Sequence, residues 1–340
     1  MSQAIVLESA PLGFQWPTID PFLFCVHHND DYPAGTAAMG VESKHLEGRR
    51  LGNDFELRDG FRMYHGHPIP GFPSHPHRGF ETLTLARRGF IDHSDSLGAK
   101  ARFGQGDAQW MTAGRGIVHS EMFPLLNADG PNSAELFQIW INLPAEDKMV
   151  PAHFKMLWSE TLPVHHIRDD HGRTTVLTTI AGAFDGTAPP SPPPHSWASR
   201  PEAGVAVWTL RLEPGARITL PAGPADAQRL LYCFAGSTLS LGGSALKAPR
   251  VARVQPGVPV PIENGDLEAE ILMLQGRPIG EPVARRGPFV MNTNAEIQQA
   301  FSDYRRTHFG GWPWPHQAPV HERLSGRFAV HADGRHDKPV

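Results

Sequence analysis

The sequence predicts an all-β protein: two antiparallel β-barrels or sandwiches in tandem, followed by one C-terminal helix. Three observations carry that expectation. Short apolar or alternating runs recur at intervals of about ten residues, as in sandwiches and barrels. The 34 Gly and 33 Pro among 340 residues supply turns between them. After a connecting stretch near mid-chain, the same style begins again.

In the first half, Phe22–His27, Thr82–Ala86, Ala108–Thr112, Ile117–Phe123 and Glu135–Leu143 read as strands. Gly35, Gly71, Gly89, Gly104, Gly106, Gly114 and Gly116 punctuate them. Residues 145–163, after Pro144, read as a connection. Thr174–Ala181, Gly204–Leu212, Arg229–Phe234, Thr238–Leu241 and Ala269–Gln275 then form the second set. Pro189-Pro-Ser-Pro-Pro-Pro194 reads as an extended surface loop, with polyproline recognition the weaker alternative. Thr293 and Glu296 make a T-x-x-E capping box ahead of an Ile297, Ala300, Phe301, Tyr304 stripe, and Gly310, Gly311 and Pro313 close that helix. The tail beyond Trp314 carries His316, His321, His331 and His336 among charges and Gly, and reads as a solvated or mobile extension. The expected domains are 1–150, 151–290 and 291–340.

Composition narrows the function. Lys plus Arg is 31 against 35 Asp plus Glu, a formal charge of −4, so nothing suggests direct nucleic-acid binding as the main task. Cys25 and Cys233 form no disulfide framework, which fits a reducing cytoplasm. The first eight residues lack a cationic region and an apolar core, so no secretory leader is expected there. No apolar run approaches the roughly 18 residues a membrane span needs.

The chemistry concentrates in two ligand pairs, His75/His77 and His119/Glu121. Residues two apart on a strand face the same side, so each pair could aim inward together. Spacing alone is weak: with 19 His in 340 residues, chance supplies about one His-x-His. The chain has a second, His65/His67, read as loop or rim histidines, and a second His-x-Glu, His45/Glu47. Context separates them. The segments Gly71-Phe-Pro-Ser-His-Pro-His-Arg-Gly-Phe-Glu-Thr82, His93-Ser-Asp-Ser-Leu-Gly98, Gly106–Met122, Leu136–Ala145 with Lys148-Met149, and Gly287–Thr293 closely resemble the pirins. Together they span residues 20–306.

The resemblance implies a bicupin, two jelly-roll-like antiparallel β-barrels with a metal in the N-terminal one only. It implies His75, His77, His119 and Glu121 as ligands of Fe(II), and the second half indeed lacks both ligand pairs. Ni, Mn, Co, Cu or Zn would accept the same donors. A closed structural zinc site would more often use Cys, and none is near. Three imidazoles and a carboxylate leave positions open on an octahedral ion, as O2 or substrate activation needs. Glu81, by the wider cupin pattern, is an alternative ligand or an acceptor orienting an imidazole. Phe72, Phe80, Phe103, Trp110, Met111, Met122 and Phe123 read mainly as barrel core.

Two functions follow from the resemblance. One is a quercetin 2,3-dioxygenase-type oxygenase that opens a flavonol ring with O2, with Glu121 taking the hydroxyl proton as base. The other is a non-catalytic, redox-responsive regulator with a protein partner. Arg87, Arg88, Arg102 and Arg115 are the candidate basic surface for that partner.

Overall fold

The computed structural model describes residues 4–339, whose regular secondary structure is almost entirely antiparallel strand with a single α-helix. Contacts gather these residues into two units, which interleave with the expected segments rather than following them. One unit holds residues 4–26, 140–142 and 161–280; the other holds 27–139, 143–160 and 281–339.

The first unit contains a sheet of seven strands in the order Val6–Pro11, Arg250–Val254, Gln228–Ala235, Ala269–Gly276, Ala206–Leu212, Thr174–Ala181, Val164–Arg168. A second sheet of four runs Arg217–Leu220, Val260–Asn264, Thr238–Leu241, Ser244–Lys247. Strict alternation in Val260–Asn264, buried then exposed, turns Val260 and Ile262 toward Leu210, Leu231, Ile271 and Met273. The hairpin between Leu241 and Ser244 turns on Gly242 and Gly243, at φ 56° and 85°. Two successive positive φ values suit the right-handed strand twist and favour glycine.

The second unit again pairs two sheets. Five strands run His153–Leu157, Asp107–Thr112, Phe80–Arg88, Asn132–Asn142, Phe22–Tyr32. Six run His336–Asp337, Phe328–Val330, Lys100–Gly104, Phe90–Asp95, Ile117–Met122, Gly71–His77. The expected all-β, jelly-roll-like architecture in duplicate is what the structure has. The helix spans Asn294–Thr307 with the capping box formed by Thr293 and Glu296. Its Ile297 and Ala300 are buried, with Phe301 and Tyr304 packed beside Val118, Phe289 and Met291.

Three expectations need correction. The stretch 145–163 is not merely a connection, because His153–Leu157 is an edge strand on Asp107–Thr112. The tail is docked: Phe328–Val330 pairs with Lys100–Gly104, and Trp314 Nε1 donates to the Asp95 carbonyl at 2.8 Å. Arg102 is no surface residue. It is wholly buried, donates to both oxygens of Asp92 at 2.7 Å, and reaches the carbonyls of His321, Glu322 and Arg323. A three-residue strand among polar neighbours carries no periodicity, so only its partners reveal it.

Candidate metal centre

The centre begins with a register. Gly71–His77 and Ile117–Met122 pair antiparallel, Phe72 opposite Glu121 and His75 opposite His119. Three residues separate the first pair on one strand and two on the other, so the ladder contains a bulge. Residues directly opposite share a face, and side-chain direction has period two. Without the extra residue, Ser74 would stand opposite His119 and both His75 and His77 would turn away. The bulge therefore puts three imidazoles on one side. The Ser74 N–H donates to the carbonyl of Gln317 at 2.7 Å, so the docked tail holds the bulge. Gly71, at φ 125°, allows the strands to meet: a Cβ there would lie 2.5 Å from the Glu121 carbonyl oxygen.

The side-chain nitrogens of His75, His77 and His119 that could ligate an ion all lie within 4.8 Å of one another. Among the described residues this is the one such group of three or more His, Cys, Asp or Glu. His75 Nδ1 lies 2.8 Å from the Pro73 carbonyl and donates to it, which leaves Nε2 with a free lone pair. His119 is completely buried, and neither of its ring nitrogens has a hydrogen-bond partner. Buried polar atoms are nearly always satisfied, and a cation held among three imidazoles at this spacing would satisfy it. Burial pushes His75 down to about 4, and His77 and His119 well below the usual imidazole range. All three are neutral at pH 7, the form that binds metal.

Glu121, expected as the fourth ligand, lies outside this group, with one carboxylate oxygen 4.0 Å from His119 Nε2. The opposite sheet holds it. Thr84 Oγ1 lies 2.9 Å from Glu121 Oε1 and 2.5 Å from Gln138 Oε1, while Gln138 Nε2 donates to Glu121 Oε2 at 3.2 Å. One hydroxyl proton cannot serve two acceptors. The Thr84 hydroxyl donates to Glu121 Oε1, so each carboxylate oxygen has a donor from that sheet. Burial raises the Glu121 carboxyl above its usual range, against the opposing pull of His93 and these hydrogen bonds. A cation in the centre would favour the charged carboxylate.

These residues lie within a chain whose relatives are known. Residues 35–141 match the family described as pirin, and residues 207–310 match the pirin C-terminal cupin domain. The chain is 38% identical over 242 residues to pirin-1 of Arabidopsis thaliana, covering 71% of this chain and 78% of that protein. The chain belongs to the pirin family. It is also 37% identical over 246 residues to a Pseudomonas aeruginosa protein provisionally named a quercetin 2,3-dioxygenase, covering 70% of this chain and 79% of the relative. A crystal structure of quercetin 2,3-dioxygenase from Acinetobacter baumannii matches with TM-score 0.70 at 26% identity, covering 90% of this chain and 98% of that one.

The three histidines of this pirin fall inside the first matched segment. His65 and His67 are exposed in the loop before Gly71, and His45 and Glu47 also stand outside the group. Glu81 is buried and accepts from Thr112 Oγ1 at 2.6 Å; it too lies outside the group. The sequence assigned no role at the centre to Thr84, Gln138 or His93. His93 is opposite Glu121 in the ladder, stacks on Phe154 with centroids 5.0 Å apart, and has Nε2 3.1 Å from Asp95 Oδ2. Its ring is 5.6 Å from that of His119. Polar residues at buried positions of apolar strands were the available signal. No helix among the described residues is long and apolar enough to cross a membrane.

Proposed function

We propose that His75, His77, His119 and Glu121 hold an iron ion and that the protein is a flavonol-cleaving dioxygenase of the quercetin 2,3-dioxygenase type. The observation that carries this reading is the convergence of three neutral imidazoles on one face beside a carboxylate, with His119 otherwise unsatisfied. The likeness to a solved quercetin 2,3-dioxygenase over nearly the whole chain supports it. Bound there, iron would supply a redox couple and open coordination positions for O2 chemistry.

The chain's own residues supply proton handling and exclusion of water. Glu121, the carboxylate beside the histidines, would take the proton of an acidic ring hydroxyl. Thr84 and Gln138 fix the direction of its two oxygens. The Pro73 carbonyl fixes the ring of His75.

The test follows quercetin absorbance and carbon monoxide release under air with the Fe(II)-loaded protein. Turnover is expected. His119→Ala should lose bound metal by elemental analysis, while His65→Ala keeps it. Metal retention with no turnover under Fe, Ni, Mn, Co or Cu would overturn the enzymatic part and leave the regulatory role. A folded His65→Ala protein without metal would overturn the ligand set.

A further inference from the structure

The unit without the histidine group has a cavity of its own. At one end of its seven-stranded sheet, Arg229, Gln275, Ala206 and Ala181 lie at neighbouring strand ends around a space of about 500 Å³. The Pro-rich stretch forms another wall through Pro189, Pro190 and Pro192, and Trp208 contributes an apolar surface. That volume is within the range of small-molecule sites.

Arg229 marks it as a site. The residue is 1% exposed, yet no carboxylate among the described residues pairs with it. Its Nε donates to Gln275 Oε1 at 2.7 Å and its Nη1 to the Pro221 carbonyl at 2.9 Å, both neutral acceptors. Gln275 is fixed in turn, its Nε2 donating to the Gly204 carbonyl at 3.0 Å. Burial pulls the guanidinium down to about 10, with no acidic group to offset it. Buried charges are ordinarily paired. No Asp or Glu lines the cavity, whereas a second arginine, Arg200, does. Nη2 is left without a protein partner, and Gly223 keeps the space beside it clear: a Cβ there would lie 2.7 Å from Nη2 and 2.5 Å from Gln275 Oε1.

We propose that this cavity binds a small organic carboxylate, its carboxylate group on Arg229 Nη2 and its apolar body against Trp208 and the proline wall. A carboxylate accepts a strong charge-assisted hydrogen bond from the remaining guanidinium donor. The apolar walls favour a ligand with a hydrophobic body over a fully hydrated inorganic anion. The inference does not depend on the metal centre or on the dioxygenase reading.

Titration calorimetry of the full-length protein with 2-naphthoate, its neutral analogue 2-naphthylmethanol and inorganic phosphate tests it. Naphthoate should bind saturably, and the alcohol and phosphate at least tenfold more weakly. Arg229→Gln should weaken naphthoate at least tenfold with an unchanged circular dichroism spectrum. Gly223→Ala, which crowds Nη2 without removing the charge, should weaken it too and serves if Arg229→Gln does not fold. Affinity should be unchanged in His119→Ala, which separates this cavity from the metal centre. No saturable naphthoate binding, undiminished binding in a folded Arg229 or Gly223 variant, loss in His119→Ala, or a preference for phosphate would each overturn the proposal.

Discussion

An Arg102→Ala substitution would strand the Asp92 carboxylate inside the six-stranded sheet. Both side chains are 0% exposed, and Nε and Nη2 of Arg102 each lie 2.7 Å from a different oxygen of Asp92. The same guanidinium donates to the carbonyls of Glu322 at 2.7 Å, His321 at 2.9 Å and Arg323 at 3.2 Å. Breaking a buried ion pair from one side costs about 3–5 kcal/mol, because the remaining charge has lost its counter-charge. Asp92 keeps one donor, the His321 N–H at 2.7 Å, so the expected loss is about 4 kcal/mol rather than the upper limit. Urea unfolding followed by circular dichroism measures it. Limited trypsin digestion should cut the variant at Arg323 and Arg327 before the rest of the chain. The tail carbonyl of Gln317 holds Ser74 at the bulge, so metal content should fall as well. Replacing both partners, Arg102→Met with Asp92→Leu, should recover most of the global stability and leave the tail loose, since its carbonyls still lack their donor. A loss below about 1 kcal/mol with a protected tail would refute the packing described.

Two further outcomes are expected. Burial lowers His75 from 6.5 to about 4, and His77 and His119 well below 6.5, so the unfolded chain takes up protons that the folded chain refuses. Stability of the metal-free protein is then full above pH 6.5 and declines as pH falls toward 4, His75 alone accounting for about 3 kcal/mol. Melting temperatures at pH 7.5, 5.5 and 4.5 measure the decline, which should be shallower in His119→Ala; equal slopes would contradict it. Thr293→Ala removes the acceptor of the Glu296 N–H at 3.2 Å and should cost about 1 kcal/mol in urea unfolding without altering metal content. A loss of metal there would show that the helix start matters to the centre.

Much of the fold was legible because its signals are local. Alternation and glycine spacing announce strands such as Thr174–Ala181 and Thr238–Leu241, whose observed limits are those expected. The T-x-x-E box and its apolar stripe announce the helix in the same way. Val164–Arg168, which has no clean apolar alternation, went unread because its stability comes from its neighbour in the sheet. The shared face within each ligand pair was likewise a local inference, since i and i+2 on a strand always point together.

What the amino-acid order alone determined, then, is the all-β class, the duplication, the helix and the two ligand pairs, all consequences of backbone periods of a few residues. Only the tertiary structure decided that the three histidines meet, because that depends on one bulged residue changing the side-chain parity of Gly71–His77 against Ile117–Met122. It also decided that the tail is docked through Arg102, that Thr84 and Gln138 hold Glu121, and that Arg229 is buried without a counter-charge. Those contacts join residues distant along the chain. Their energies come from burial and hydrogen-bond geometry that exist only once the sheets have paired.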